Sequence, residues 1–200
     1  MQEDFIAAMR RLADEGRRRD SGCCAFGANG HEWRFRPPAR MDEVHELETD
    51  LHITLPEPLV RYLTELGNGG CGPDYGIYSL AEMRRESDWL PDDISLPVFL
   101  TPTLTKKQWA AFVRGYNAIP YDDTYDDRAA RYLEQMTAGT VAVSTPGCTM
   151  QTLLICRGEH AGEVVTVDFD IREKFPPVFC GSFAEWAVGR VSGAVMKLHG

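Results

Sequence analysis

The stretch LETDLHITLPEPLVRYLTELGNGGCGPDYGIYSL, Leu47 to Leu80, decides how this chain is read. An amphipathic segment runs into Leu55-Pro56. Pro56 can open a helix, because its missing N–H would lack a partner in the first turn anyway. Leu59, Tyr62, Leu63 and Leu66 then recur at the spacing of one helical face. Gly67 is the expected stop, and Asn68, Gly69, Gly70 and Gly72 make a turn tolerant of unusual backbone angles. Pro73, Asp74 and Gly76 continue the turn, and Gly76-Ile77-Tyr78-Ser79-Leu80 is expected to enter a sheet. The order helix–loop–strand excludes two nucleotide sites. A phosphate cradle needs a strand before the glycines and Lys-Ser/Thr after them, and a dinucleotide fingerprint also opens a helix rather than following one.

Upstream, residues 3–19 predict a helix with Phe5, Ile6, Met9, Leu12 and Ala13 as its apolar stripe. Arg17-Arg18-Arg19 ends it, where cations complement the helix dipole. Residues 20–30 read as a loop, which sets residues 1–24 apart as an N-terminal helical appendage and linker, with the main domain over 25–200. His31 to Phe35 reads as a short strand with Trp33 and Phe35 on one face, and Met41, Val44, Leu47 and Leu51 mark the stripe of the next helix.

Downstream, residues 81–90 predict a short helix ending at Trp89-Leu90-Pro91, and Val98-Phe99-Leu100 a short strand. Thr105 to Gln108 is a capping box, opening a helix through Trp109, Phe112, Val113 and Tyr116. Another helix follows through Tyr125, Ala129, Tyr132, Leu133 and Met136. From Gly139 the period becomes two: strands at Val141–Ser144, Gln151–Cys156 and Glu163–Phe169 are joined by turns at 145–148 and 157–162. Ser182 to Glu185 is a second capping box, with Phe183, Trp186, Ala187 and Val191 on one face. These elements predict an α+β fold: a mainly antiparallel sheet, a meander in the C-terminal half, flanked by helices.

His31, Pro37-Pro38, Leu55-Pro56, Gly67-Asn68-Gly69-Gly70, Gly72-Pro73 and Tyr75-Gly76 together resemble the first half of a SUKH-superfamily (Smi/Knr-like) domain. Gly139, Gly147-Cys148, Leu153-Leu154-Ile155, Gly162-Glu163-Val164 and Ser182-Phe183-Ala184-Glu185-Trp186 resemble its second half. The resemblance covers roughly residues 31–192. It implies a single α+β domain and, among bacterial members, an immunity protein that neutralises a toxin by direct binding. It makes Leu55, Pro56, Gly67, Asn68, Gly69, Gly70, Gly72, Pro73 and Gly76 structural motif positions, and it carries no catalytic motif.

Hydrophobic residues make up 44% of the 200 residues, as in ordinary globular proteins, and no apolar run nears the roughly 18 residues of a membrane span. The charged start MQEDFIAAMRRLADEG has no signal-peptide core, so a cytoplasmic address is expected. Net charge is −9, unevenly spread: residues 1–40 hold 8 Lys/Arg against 6 Asp/Glu, and residues 41–200 hold 13 against 24. Such acidity disfavours nucleic acid and favours a basic partner, although it also serves plain solubility.

Cys23, Cys24, Cys71, Cys148, Cys156 and Cys180 form no C-x-x-C pair and are expected to be free thiols. Cys148, after Pro146-Gly147, is a candidate nucleophile, but no His lies near it in sequence. His45, Glu48 and His52 can share a helix face, and Asp168 and Asp170 a strand face, yet neither has the spacing of a known metal motif. A solvated face is the better account of both sets. No cofactor, metal or enzymatic turnover is therefore expected.

The functional expectation is a non-catalytic module that binds a basic, nuclease-like toxin domain. A regulatory scaffold for another protein partner is the alternative, and a hydrolase using Cys148 or Asp168/Asp170 the remote one. The candidate contact surface is the acidic insertion Tyr121, Asp122, Asp123, Tyr125, Asp126 and Asp127, in an expected loop between two helices. Tyrosines among carboxylates are a common composition for binding surfaces; a solvated loop without a role is the competing account.

Overall fold

The computed structural model describes residues 4–89, 95–171 and 175–198. Its helices are α1 (Phe5–Arg19), α2 (Met41–Asp50), α3 (Glu57–Arg61) continuing as a π-helix (Tyr62–Leu66), α4 (Leu80–Arg85), α5 (Lys106–Asn117), α6 (Tyr125–Thr137) and α7 (Phe183–Lys197). Strands β1 (Thr140–Gly147), β2 (Met150–Ile155), β3 (Glu163–Asp168) and β4 (Val178–Ser182) form one antiparallel meander in that order, giving the α+β fold. Thr140 faces Ile155, Leu154 faces Val164 and Thr166 faces Val178.

Helices cover both faces of the sheet. Val141, Val143, Leu154 and Val164 point into one core with α1, α2, α3 and α7. Ala142, Leu153, Val165 and Val167 point into a second core with α5, α6 and Leu100. This double burial is why the strands read as continuous apolar runs (VAV, LLI, VV) rather than clean alternation. In the first core the Phe183 ring touches Phe5, Tyr62 and Trp186 with centroids 6.0, 6.3 and 5.9 Å apart. In the second, Phe112 stands between Phe99, Trp109 and Tyr132. Helix α1, expected as an appendage, contributes Ile6, Met9, Leu12 and Ala13 to the first core.

The glycine run after α3 ties three stretches of backbone together. Gly70 bridges Phe35 on one side and Ile77 on the other, through Gly70 N–H to Ile77 O and Ile77 N–H to Gly70 O, both 2.9 Å. Gly70 has φ 110, and a Cβ there would lie 2.4 Å from Arg34 O. Only glycine fits such a conformation and approach. The Asn68 side chain accepts the Leu80 N–H at 2.8 Å, and the buried Tyr62 hydroxyl donates to Cys71 O at 2.7 Å. Beside this hub, Arg36 donates to both Glu82 oxygens at 2.6 and 3.0 Å.

Several expected elements are corrected. His31–Phe35 is a tight turn and a single bridge, not a strand, since Glu32 and Trp33 have φ 50 and 56. Trp33 is still buried, because its indole N–H donates to Asp20 at 3.0 Å and its ring packs on Gly16 of α1. Gly76–Leu80 is not a strand either. Beyond the bridge at Ile77, Tyr78 N–H reaches Val143 O at 2.9 Å, and Ser79 with Glu82 then forms a capping box that opens α4. Residues 98–100 form no strand. Strand β1 extends through the expected turn to Gly147 by way of two irregularities in pairing. Met41 of the α2 stripe is exposed. Helix α4 ends at Arg85 instead of running on toward Leu90, since residues 86–89 form a turn, while the expected helix start at residue 3 and Leu90-Pro91 lie outside the described residues. No described helix is long and apolar enough to cross a membrane.

Candidate functional site

The 117–127 insertion is only partly a loop. Tyr125, Asp126 and Asp127 form the first turn of α6, where carboxylates complement the helix dipole. Asp122 shapes the turn before it, accepting from Thr124 N–H at 2.9 Å, Thr124 hydroxyl at 2.8 Å and Arg128 at 2.6 Å. The Thr124 N–H, then Arg128 and the Thr124 hydroxyl, hold its carboxyl at about 2. The expectation that this segment draws little order from its own residues is corrected accordingly: Asp122 and Arg128 fix it. Arg128 was missed because its partner lies six positions earlier, across a turn rather than along a helix face.

Two aromatic rings crown this tip. Tyr121 is 84% exposed and stacks on Tyr125 at 4.4 Å with planes 28° apart. Asp123, Asp126 and Asp127 are exposed beside them. The six residues named from the sequence thus lie together on the surface, with Asp122 paired to Arg128 and the other carboxylates exposed.

The other candidates have structural work. Glu48 accepts the Leu55 N–H at 2.7 Å, tying α2 to the start of α3, while His52 sits in a turn at φ 52. Asp168 accepts from the Thr149 hydroxyl at 2.5 Å and from Asp170 N–H at 2.9 Å. Among the described residues no group of three His, Cys, Asp or Glu is placed to hold a metal ion. Cys148 is exposed in the β1–β2 turn with φ 55, in a hollow it shares with Tyr116, Gln151, Phe169 and Asp170, and among the described residues no imidazole lines that hollow. The six cysteines are free thiols, and burial pushes Cys71 up to about 12.

The family-motif positions gather at the hub rather than at the tip. Leu55 is buried, Pro56 caps α3, and Pro73 O accepts the Gly76 N–H at 2.8 Å. Neither protein-family models nor curated proteins give a match to this chain.

Proposed function

We propose that this chain is a SUKH-type protein-binding module without catalytic activity, and that it acts in the cytoplasm as an immunity protein against a basic, nuclease-like toxin domain. The observation that carries the reading is the tip: an exposed Tyr121 stacked on a half-buried Tyr125 and ringed by Asp123, Asp126 and Asp127 at the start of a helix. A toxin that handles a polyanion presents cationic side chains, and a carboxylate-rich surface meets them and speeds encounter. The aromatic pair supplies contact area that loses little entropy on binding. The excess of 24 Asp/Glu over 13 Lys/Arg in residues 41–200 supports the same partner chemistry.

The test is co-expression with the polypeptide encoded beside this gene. The expected result is rescue of growth from that polypeptide's toxicity and a stoichiometric complex on gel filtration. Toxicity unchanged by this chain, with no complex, would overturn the reading.

A further inference from the structure

We propose that the groove between α7 and the turns at 24–33 and 72–74 is a binding site for a small aromatic carboxylate. The inference stands apart from the acidic tip and from the partner assigned to it. The groove encloses about 510 Å³, within the roughly 300–1,000 Å³ typical of small-molecule sites. One wall is the helix backbone itself. Gly189 and Gly193 lie one turn apart on α7, and a Cβ at either would meet nothing within 4 Å. Glycine inside a helix is destabilising relative to alanine, and no internal contact here asks for it. A bare helical face does admit a flat ring at close range. Trp33 and Ala194 line the groove, and Phe26, 65% exposed and edge-on to Tyr75 at 5.4 Å, stands at its rim.

The polar groups select the ligand's charge. His31 lines the groove and is only 8% exposed. Its Nδ1 accepts the Trp33 N–H at 3.0 Å, so the neutral ring carries its proton on Nε2. Burial, opposed by Asp20, lowers its pKa to about 4, so the ring is neutral at pH 7. Cδ2 lies beside Gly76, the ring lines the groove, and the Nε2–H has no hydrogen-bond partner among the described residues. A donor held at the groove wall by a largely buried ring is available to an acceptor in the groove. The Asp74 carboxylate, also in the lining, is already held by Arg190 at 2.7 Å. Lys197, one turn beyond Gly193, is exposed with no ion pair among the described residues and supplies a positive charge at the groove. An aromatic ring laid over the glycines, with its carboxylate between His31 and Lys197, satisfies both groups.

The experiment is amide-resolved NMR on the full chain titrated with indole-3-acetate, and in parallel with indole-3-acetamide. The expected result is saturable shifts at His31, Gly189 and Gly193, with the amide about tenfold weaker or more. Gly193→Leu fills the groove yet favours the helix, so it stays folded and loses the binding. Lys197→Gln lowers the acid to the affinity of the amide. The tripeptide Gly-Gly-Trp separates two sources of the same chemistry: tighter binding than indole-3-acetate assigns the site to a chain terminus, and weaker binding to a free metabolite. Equal binding of acid and amide, undiminished binding by folded Gly193→Leu, or the absence of saturable shifts at these residues would overturn the proposal.

Discussion

The turns at 67–76 and 117–127 are both punctuated by residues that leave regular structure, yet the protein uses them in opposite ways. At the first, backbone meets backbone from three directions, and Gly70 has no room for a side chain. At the second, one carboxylate and one guanidinium hold the turn, and every other side chain faces outward or lies along the surface. Glycine marks the place where the fold is decided; tyrosine and aspartate mark the place where the fold is left free to be touched. Substitutions at the hub should therefore cost stability, and substitutions at the tip should cost binding alone.

The largest effect is expected at Gly70. Gly70→Ala adds a Cβ 2.4 Å from Arg34 O at φ 110, and a loss of roughly 2–4 kcal/mol in urea unfolding is predicted. Tyr62→Phe comes next. It leaves the buried Cys71 carbonyl without the hydroxyl now 2.7 Å away, for a loss of about 1–2 kcal/mol.

Acid sharpens the comparison. At Glu82, desolvation pushes the pKa up, but Arg36 and the Ser79 N–H and hydroxyl more than offset it and hold the group at about 2, against an ordinary 4.5. A depressed folded pKa means that the stabilisation is complete above about pH 4.5 and is lost as the pH falls toward 2. Glu82→Gln should lower the urea midpoint at pH 7 and reduce its fall between pH 5 and about 2.5. Asp122→Asn, at the tip, should leave the midpoint within error and instead speed amide exchange in the first turn of α6. The smallest effect on stability belongs to Tyr121→Ala, within about 0.5 kcal/mol of the parent.

Much of the hub was legible because its signals are local. The face Leu59–Tyr62–Leu63–Leu66 is buried as its spacing requires, Thr105 with Gln108 opens α5 as a capping box, and Ser182 caps α7 by accepting the Glu185 N–H, without the reciprocal half of the expected box. The errors share one cause, contact between segments distant in sequence. Ile77 and Tyr78 look like a strand because they do pair, but with Gly70 and Val143 for only a residue each before Ser79 caps α4. Trp33 looks like a strand residue, yet a turn at φ 56 is stabilised by Asp20 and by the space at Gly16. Strand β4 was not read at all: VFCGS is short, lies at the sheet edge and is half exposed. At the tip, composition marked the candidate surface, and only geometry separated Asp122, which holds the turn, from Asp123 and Asp126, which do not.

That separation gives the most direct measurement of the central claim, that the tip is the recognition surface. The kinetics of binding to the proposed basic partner domain are to be compared for the parent, for Asp123→Lys with Asp126→Lys, and for Tyr121→Ala, across a salt series. The account predicts association at least about tenfold slower for the charge-reversed chain at low salt, with the gap closing as salt rises, and faster dissociation for Tyr121→Ala with association unchanged. Association and dissociation equal to the parent's at every salt concentration, in chains whose unfolding midpoints are also unchanged, would contradict it.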